Sequence, residues 1–471
     1  MLTIRDSGAA LCDHLTRRDW LHIGALGALG LSLPTLQGAR GHAASTAPAA
    51  RGGSFGKAKA CIIVGLTGGP PQHETWDPKP DAPAEIRGPF QPIASSVPGL
   101  RVCELMPRLA QQAHHFAVLR AVSTRDNAHS SSGYYMMTGV PHQPPNVENA
   151  RPGAPNNWPS VAALVNRVKS RPGGMPASVV IPEHIWNDGN IPWPGQDAGF
   201  LGRAADPWLI HCDPSAATAQ IPAIALPAEM TPLRFDERRS LLSQVNRHFD
   251  TEQRAAAVRN YDHQFRQALD MMQSGNVRRA FDLGQEPASM RDRYGRSRYA
   301  QSVLLARRLV ESGISLVQIN WTRMGPNLPN QGGWDTHDKN AESLRGHLMP
   351  LMDRAVSALI EDLAVRGLLD ETLVVWMSEF GRTPRHNANG GRDHWGSVFS
   401  LAMAGGGVRG GVVHGSSDRL GAYPREGQVL PQDITATIFH LLGIPPATEV
   451  HDSLGRPIAV SRGGFIQQIV Q

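Results

Sequence analysis

The chain has 471 residues, of which 41% are hydrophobic and 18% are charged. A chain of this length buries a large core without disulfide bonds, and its composition excludes a disordered protein, a coiled coil and a collagen-like repeat. The formal net charge is +5, with no block of consecutive basic residues. Because a nucleic-acid-binding protein usually has a basic stripe, we expect no nucleic-acid partner.

The N-terminus has the pattern of an export signal. Arg17 and Arg18 precede a weakly apolar run over residues 23–36, and a small-residue cleavage site follows at Gly41 and Ala43. This pattern is typical of the twin-arginine route, which exports folded proteins, often with a metal or cofactor already bound. A plain helix or a membrane anchor is the alternative, but the run is shorter than the roughly 20 apolar residues of a membrane span. We therefore expect a periplasmic or extracellular protein with no membrane span after removal of the signal.

The cysteines give little support for a cysteine-based metal site. Cys12 lies in the predicted signal, and none of the other cysteines belongs to a C-x-x-C pair. The three that remain, Cys61, Cys103 and Cys212, are an odd number, which argues against a disulfide framework but leaves one disulfide open. The simpler interpretation is that all of them are small buried apolar residues.

Apolar runs alternate with helical patterns through the mature chain. Short apolar runs bounded by glycine or proline predict buried parallel strands at 59–66, 116–122, 177–182, 314–320, 372–377 and 398–403. Amphipathic spacing predicts helices at 236–282, 296–312, 347–366 and 433–442, with Asp433 as the N-cap of the last one. Helices alternating with apolar strands indicate an α/β fold, in which helices sandwich a mostly parallel sheet.

The remaining segments complete the predicted domain organisation. A stretch rich in proline, glycine and tryptophan at 183–235 has little periodicity, which indicates a long surface insertion. We expect substrate specificity to reside in this insertion. The predicted division is a signal peptide at 1–43, a flexible linker at 44–56, and a single domain at 57–471 that contains the insertion.

Polar side chains follow four of the predicted strands, at the edge of the sheet where α/β proteins bind ligands. They are Glu74 and Asp77 after the first strand, His129 and Ser130 after the second, Asp335 and His337 after the strand at 314–320, and Glu379, Asp393 and His394 after the strand at 372–377. Carboxylate oxygens and imidazole nitrogens hold zinc, manganese and similar ions. Each fragment alone is more often a cap, a turn or a salt bridge, but together they favour a metal site.

The order of the motifs along the chain resembles that of a known family. The matching motifs are Trp76-Asp77-Pro-Lys, His129 with Thr138-Gly139, Arg293-Tyr-Gly295, Leu305 to Gly313, Trp334-Asp335-Thr-His337, Ser378-Glu379-Phe-Gly-Arg-Thr-Pro384, Gly391-Arg-Asp-His-Trp395, Asp433-Ile, Leu442-Gly-Ile and Gly455-Arg-Pro457. Over about residues 58–460 the sequence is similar to the bacterial domain-of-unknown-function family fifteen-oh-one, of the alkaline phosphatase and sulfatase superfamily. The resemblance implies an alkaline phosphatase-like fold with long loop insertions.

The resemblance also implies two divalent metal ions across the strand ends. The implied ligands are Asp335, His337 and His394 for one ion, and Glu379 with Asp77 or Glu74 for the second. Zinc is the favoured metal, with manganese, calcium or magnesium as alternatives.

The sequence departs from the superfamily pattern at three places. The first strand ends in Thr67-Gly68-Gly69, where an aspartate is usual, so a ligand would have to come from later in that loop. Phe380 takes the position of an expected histidine and cannot bind a metal. The Cys/Ser-x-Pro-x-Arg motif of sulfatases is absent, so no formylglycine is expected.

The same resemblance implies a nucleophile at the start of the helix after the second strand. Ser130 is the expected nucleophile there, with Ser131 and Ser132 as rivals. His129 would act as a metal ligand or as the general acid. Alternatively, the serine run only caps the helix that follows.

Displacement at a phosphate or sulfate ester is the chemistry that a metal site of this kind performs. Arg382 and Arg392 would bind the anionic substrate, a small molecule or a polysaccharide ester, or would instead form structural ion pairs. We therefore predict an exported, metal-dependent ester hydrolase of the phosphatase and sulfatase type. The alternative is a degenerate member that binds an envelope polysaccharide or a protein partner without catalysis.

Overall fold

A computed structural model of the chain describes residues 53–169, 176–187, 190–216, 275–452 and 454–471, and isolated positions between 234 and 244. The predicted signal peptide, most of the predicted linker and most of the helical segment predicted at 236–282 lie outside these described residues. From Gly53 to Gln471 the chain forms one compact unit. No helix within the described ranges combines the length and the apolar character that a bilayer span requires.

The described residues fold into short strands and helices. The strands are β1 (Ala60–Gly65), β2 (Pro92–Ala94), β3 (Arg101–Cys103), β4 (Phe116–Val122), β5 (Ser178–Ile181), β6 (Trp186–Asn187), β7 (Ile191–Pro192), β8 (Trp208–Leu209), β9 (Leu316–Asn320), β10 (Thr372–Met377), β11 (Gly381–Arg382), β12 (His394–Trp395), β13 (Phe399–Ala404), β14 (Val413–His414), β15 (Ser416–Ser417), β16 (Pro424–Glu426), β17 (Glu449–His451) and β18 (Pro457–Ala459). The α-helices are α1 (Ala84–Arg87), α2 (Pro107–Gln111), α3 (His129–Thr138), α4 (Val161–Val168), α5 (Gly275–Phe281), α6 (Ala288–Tyr294), α7 (Arg298–Glu311), α8 (Asn340–Ser343), α9 (Met349–Val365) and α10 (Pro431–Leu441), with a π-helical turn at Leu344–Leu348 between α8 and α9.

An eight-stranded sheet forms the centre of the fold, in the order β14-β4-β13-β10-β1-β9-β5-β8. β1 pairs in parallel with β10 and β9, β5 pairs in parallel with β9 and β8, and β14 does so with β4. β13 runs antiparallel to both of its neighbours, β10 and β4. The carboxyl ends of β4, β10, β1 and β9 therefore meet at one edge of the sheet, and β13 begins at that edge.

The structure confirms the mostly parallel sheet between helices. Every predicted strand is present, with ends that shift by no more than two residues. β13 is the exception to the parallel arrangement, because the chain returns from β10 through a hairpin-like loop. Part of the insertion predicted at 183–235 also belongs to the sheet, since β8 pairs with β5 at its edge. Residues 217–233 of that insertion lie outside the described residues.

Side chains of β1 alternate between two cores, one on each face of the sheet. Ile62 faces a cluster that includes residues of α7 and α9. Ile63 faces the other cluster, which includes residues of α4 and α10. A strand covered on both faces is expected to be continuously apolar, as this one is. Cys61, Cys103 and Cys212 are buried and unbonded, as the simpler interpretation of the cysteines predicts.

The helices begin with different caps. Ser160 and Ser297 each accept a backbone N–H from the first turn of α4 and α7. The last helix, α10, has Leu430 at its N-cap position and Pro431 as its first residue. The carboxylate of Asp433 accepts the backbone N–H of Leu430 at 3.0 Å from within the first turn. The prediction of Asp433 as the N-cap is therefore wrong, although the residue does stabilise the start of the helix.

Candidate metal centre

Loops from four strands meet at one edge of the central sheet. The loop after β1 begins with Thr67 and Gly68, and the loop after β4 leads into α3, whose first residue is His129. The loop after β9 carries Asp335, and the loop after β10 carries Glu379 before it returns through β11 and β12 to β13. Residues far apart in the chain thus face one another at the edge where ligands bind in this class of fold.

Gly68 permits a close approach of these loops. Its φ is +116°, and a Cβ atom at this position would lie 2.5 Å from the backbone N of Asp335. The backbone N–H of Gly68 also donates to Glu379 Oε1 at 2.8 Å. Gly68 therefore connects the loops after β1, β9 and β10, which no residue with a side chain could do in this conformation.

Three histidine rings converge on the carboxylate of Asp335. His337 Nε2 and His394 Nε2 both lie 3.1 Å from Asp335 Oδ1. His129 Nε2 lies 3.2 Å from Asp335 Oδ2. The Nε2 atoms of His337 and His394 are 2.9 Å from each other. The structure thus brings together the three residues implied for one ion and adds His129 to the same group, which we call the Asp335 cluster.

The other ring nitrogen of each histidine lies against a hydrogen-bond acceptor. The acceptors are Glu379 Oε1 at 2.8 Å from His129 Nδ1, Asp393 Oδ1 at 2.8 Å from His337 Nδ1, and the Asn127 carbonyl oxygen at 2.7 Å from His394 Nδ1. An acceptor at Nδ1 places the proton of a neutral imidazole on that nitrogen. In the neutral form of each ring, the Nε2 lone pair therefore points at the carboxylate of Asp335.

The donor atoms of the Asp335 cluster fit a divalent cation. Lone pairs that face a carboxylate repel it unless a positive charge lies between them. One ligand atom from each of His129, Asp335 and His394 lies within 4.8 Å of the others. Zinc binds imidazole nitrogen and carboxylate oxygen, and its tetrahedral ligands lie about 3.3 Å apart. The separations of 2.9–3.2 Å measured in the cluster are close to that value.

The charges of the cluster shift the pKa values of its members. Burial alone would raise the pKa of Asp335, but Arg382 and the histidines outweigh it and hold the pKa well below its usual range. Burial would lower the pKa of His129, but hydrogen bonds to Asp335 and Glu379 outweigh it and raise the pKa to about 9. A hydrogen bond to Asp335 also raises the pKa of His337. The cluster therefore attracts positive charge, as a proton or as a cation.

Arg382 holds the Asp335 carboxylate from inside the protein. It is fully buried, and its Nη2 donates to Asp335 Oδ1 at 2.6 Å. Its Nε donates to the carbonyl oxygen of Gly69 at 3.0 Å and its Nη1 to that of Arg392 at 2.9 Å. Because every nitrogen of Arg382 is bonded inside the protein, the structure argues against its predicted contact with an anionic substrate. Arg382 orients Asp335 instead.

Arg392 is enclosed as well, but away from the histidines. It is fully buried, and its Nε donates to Glu74 Oε1 at 3.1 Å. Its other two nitrogens donate to the carbonyl oxygens of Thr383 at 2.9 Å and Ile86 at 2.7 Å. Two predictions are thereby corrected. Arg392 has a structural partner rather than an exposed guanidinium for a substrate, and Glu74 pairs with Arg392 rather than joining the metal ligands.

Asp77 does not reach the Asp335 cluster either. Its buried carboxylate lies 3.0 Å from Lys79 Nζ and 3.5 Å from Arg120 Nε. The hydroxyl of Ser417 also donates to it. These contacts occupy both carboxylate oxygens, so the structure places Asp77 in a separate ion-pair network.

The position implied for a second ion lacks its ligands in the described residues. Glu379 Oε1 accepts the Gly68 N–H and faces His129, and Glu379 Oε2 accepts the hydroxyl of Ser378 at 3.0 Å. Phe380 is fully buried, with its ring stacked 4.4 Å from that of His394. The residues present therefore fit one cation at the Asp335 cluster and do not fit a second one beside it.

The serine run at the start of α3 is enclosed. Ser130, Ser131 and Ser132 are fully buried. The Ser130 hydroxyl donates to the Val147 carbonyl oxygen at 3.1 Å and accepts the N–H of Ala150 at 2.9 Å. The other two hydroxyls are bonded inside the protein as well, and none of the three caps the helix. The structure argues against Ser130 as the nucleophile. Ser130 and Ser131 bind the loop after α3, whereas Ser132 binds Thr124 and the backbone of Glu379.

A cleft of about 810 Å³ opens beside the Asp335 cluster. Thr67, Trp193 and the cluster itself are among the residues that line it. The ring of Trp193 lies 5.7 Å from that of His129, so the wall of the cleft reaches the cluster directly. Pockets of about 300–1,000 Å³ hold most small ligands, and this cleft gives such a ligand access to the histidines.

Several residues of the site have no specific role in the sequence-based prediction. Asp393 is named there only among the polar residues at the strand ends, and the structure shows that it orients His337. Asn127 acts through its backbone oxygen, which no side-chain pattern reveals. Glu148 accepts the backbone N–H of His129 at 2.8 Å from the loop that follows α3, 19 residues along the chain.

Family membership follows from a match that spans most of the chain. The model of the family described as "Protein of unknown function (DUF1501)" matches residues 58–470. The chain belongs to this family. No curated protein matches the chain.

Three solved structures have a low similarity to the chain. A phosphonate monoester hydrolase from Silicibacter pomeroyi is 13% identical over 82% of this chain and 74% of its own, with a TM-score of 0.38. A sulfatase from Pseudoalteromonas sp. is 12% identical over 84% and 69%, with a TM-score of 0.37. The alkaline phosphatase of the Antarctic bacterium TAB5 is 12% identical over 74% and 92%, with a TM-score of 0.33. Similarities of this size imply nothing about the reaction or the substrate of this chain.

Proposed function

We propose that the chain is a metal-dependent hydrolase that acts on a phosphate or sulfate ester. The observation that carries the proposal is the convergence of three imidazole Nε2 atoms on the Asp335 carboxylate, at 3.1–3.2 Å. An acceptor at each Nδ1 orients the rings, so that their Nε2 atoms face one another and can bind a cation once they have lost their protons. Such a group of acceptors binds a divalent cation.

Asp335, His337 and His394 would hold the cation. His129 would join them through Nε2 or would donate a proton from that atom. Imidazole and carboxylate ligands favour zinc, with manganese as the second choice, because calcium and magnesium prefer oxygen ligands alone. When bound, a cation of this kind lowers the pKa of a water molecule and neutralises a developing oxyanion.

The residues around the cation site would orient its ligands and supply a proton. Asp393 holds the ring of His337, and Glu379 holds that of His129. Because Ser130 is enclosed, the attacking group in this proposal is water. Its oxygen forms a bond to phosphorus or sulfur and releases a proton to the solvent, while the bond to the leaving oxygen breaks. His129 lines the cleft and is suited to give the leaving oxygen its proton.

A binding protein without catalytic activity is the second candidate, and two observations favour it. Phe380 takes the place of a ligand for a second ion, and the hydroxyl of Ser130 is buried. A member of the superfamily that lacks both groups would retain the fold and a single cation site. Its ligand would then be an envelope polysaccharide or a protein partner.

Metal analysis of the mature protein, purified from its export compartment, tests the cation site. We expect close to one ion per chain by inductively coupled plasma mass spectrometry, and its loss in His337→Ala. His451→Ala is the matched control, because His451 is an exposed histidine of β17 outside the cluster. If the native protein holds no ion even after incubation with zinc, the cation site is refuted and the binding protein is favoured.

A panel of aryl phosphate and aryl sulfate esters tests the reaction. We expect the metal-loaded protein to hydrolyse at least one of them, with activity lost to a chelator and restored by zinc. His337→Ala should lower kcat/KM by at least about a hundredfold. The loss of a metal ligand has a larger effect than a change in a residue that only orients a ligand. Equal activity in His337→Ala and the native protein would exclude this site. No hydrolysis by a protein that does hold its ion would favour the second candidate.

Export by the twin-arginine route is part of the proposal. It is supported by the pair Arg17 and Arg18 ahead of a short apolar run. Replacement of both by lysine should retain the protein in the cytoplasm, whereas Arg40→Lys should be exported normally. N-terminal sequencing of the exported form should begin after Ala43. Unchanged export of the paired variant would contradict this route.

A further inference from the structure

The residues that line the cleft outside the Asp335 cluster, which we call the outer wall, have a different chemistry from the cluster. Trp186 lies there on β6, with 38% of its surface exposed. Trp193 and Trp321 lie in the same wall and are buried. An exposed indole combines a large apolar face with a polar edge, and it is suited to pack against a ligand that is apolar on one face only.

Four exposed amide side chains also line the cleft, without a side-chain hydrogen bond to any of the described residues. They are Asn149, Asn190, Gln331 and Asn389. They come from four loops, namely those after α3, between β6 and β7, after β9, and between β11 and β12. Each amide offers donors and an acceptor together. Such a lining matches a ligand with hydroxyl groups, because a hydroxyl group both donates and accepts hydrogen bonds.

Outside the Asp335 cluster, the cleft carries little positive charge. The described lining residues there include the carboxylates Glu148, Glu183 and Asp338, one arginine, Arg323, and no lysine, and Glu183 is paired with Arg298 at 3.2 Å. A ligand with many negative charges would meet like charges along this wall, which costs binding free energy. A neutral ligand with many hydroxyl groups meets no such repulsion.

We propose that the cleft binds an oligosaccharide that is neutral except for one charged group, the ester at the Asp335 cluster. Trp186 packs against the C–H face of one sugar ring, and Asn190 and Gln331 bind hydroxyl groups. The volume of about 810 Å³ accommodates more than a phosphate or sulfate group. The identity of the ester rests on the proposed hydrolase function, whereas the binding of neutral sugar does not.

Isothermal titration calorimetry of the full mature chain tests the proposal. The neutral probes are cellohexaose, xylohexaose and mannohexaose, and a heparin hexasaccharide is the polyanionic comparison. We expect at least one neutral hexasaccharide to bind, with an affinity about tenfold or more above that of the heparin hexasaccharide. Binding of none of the neutral probes, or a preference for heparin, would overturn the proposal.

Two variants locate the neutral ligand within the cleft. Trp186→Ala should weaken its binding by about tenfold or more, and Asn389→Ala by about threefold. Phe55→Ala is the matched control, because Phe55 is also an exposed aromatic residue, with its ring 5.3 Å from that of His440 near the end of α10. Equal affinity of Trp186→Ala and the native chain would refute the assigned wall.

Asp335→Asn distinguishes this proposal from that of the hydrolase. This variant should lose its ion but bind the neutral hexasaccharide within about twofold of the native affinity, because the sugar contacts lie along the outer wall. Trp186→Ala should show the reverse, with its ion retained and its sugar affinity lowered. Loss of sugar binding in Asp335→Asn alone would place recognition at the metal centre and overturn the proposal.

Discussion

Asp335 and Glu74 are two carboxylates that each pair with a buried arginine, yet their surroundings differ. Asp335 receives Nη2 of Arg382 at 2.6 Å and keeps 35% of its side chain exposed. Glu74 receives Nε of Arg392 at 3.1 Å and is fully enclosed. Both arginines lie in the loop between β10 and β13. One loop thus contributes an arginine to the Asp335 cluster, which is open to the cleft, and another to the buried ion pair with Glu74.

The pKa values of the two carboxylates shift in opposite directions. Burial raises the pKa of Glu74, and Arg392 only partly opposes it. At Asp335, burial is outweighed by Arg382 and by the three histidines, which lower the pKa. An arginine partner is therefore common to both, and the histidines make the difference. The nitrogen atoms of these histidines distinguish the Asp335 cluster from the structural ion pair of Glu74.

The largest effect on stability is expected from Arg392→Ala. This change leaves Glu74 buried without its partner, which typically costs about 3–5 kcal/mol of unfolding free energy. Urea denaturation measures the loss. The double variant Arg392→Ala with Glu74→Gln should recover part of it, because the unpaired charge is then absent. A loss of unfolding free energy below about 1 kcal/mol in the single variant would show that the enclosed ion pair does not stabilise the fold.

Asp335→Asn is expected to act on metal binding rather than on folding. The affinity for zinc should fall by more than about a hundredfold, since the variant loses the anionic ligand at the centre of the cluster. Titration against a competing chelator measures it. The matched control is Asp338→Asn, because Asp338 lines the cleft outside the cluster and should leave zinc affinity nearly unchanged. Equal losses in both variants would attribute the effect to the general charge of the cleft.

Asp393→Asn is expected to have an intermediate effect. Asp393 orients His337 without facing the other ligands, and changes of such partners typically cost about 10–100-fold in metal affinity. Its side chain is 54% exposed, so the unfolding free energy should change by less than about 0.5 kcal/mol. Asp370→Asn, an exposed aspartate away from the cleft, is the control. An unaltered zinc affinity would show that His337 needs no such partner.

Ser130→Ala is expected to have the smallest effect. The lost hydroxyl makes hydrogen bonds inside the protein, so the unfolding free energy should fall by about 0.5–1.5 kcal/mol. The value of kcat/KM on an aryl ester should stay within about twofold, since the hydroxyl is buried and hydrogen-bonded inside the protein. A loss of about a hundredfold or more would restore Ser130 as the nucleophile.

The central strands and part of the site could be predicted from the sequence. Strands buried on both faces are continuously apolar, so their bounds are readable within two residues. Parallel strands bring their carboxyl ends to one edge, and that rule alone brings Asp335, His337, Glu379 and His394 together. The direction of β13 was not predictable in this way, because an apolar run does not show whether its strand is parallel or antiparallel to its neighbours.

Whether each polar residue near these side chains is enclosed or lies at the cleft could not be predicted. Arg392 and His394 are two positions apart, yet the guanidinium is enclosed by Glu74 and backbone oxygens while the imidazole lies at the cleft. Ser130 follows His129 directly and is buried by a loop from farther along the chain. Such differences depend on which distant segments pack against a residue, and local residue types do not encode that packing.

The antiparallel placement of β13 beside β10 has a consequence for how this protein can change. The residues between these two strands include Glu379, Arg382, Asp393 and His394, and both ends of the segment are anchored on adjacent strands in the middle of the sheet. Of the four members of the Asp335 cluster, this segment supplies His394, and it also supplies Glu379, Asp393 and Arg382, which contact the other three. A change in the length or path of the segment therefore shifts one member of the cluster and the partners of all the others together.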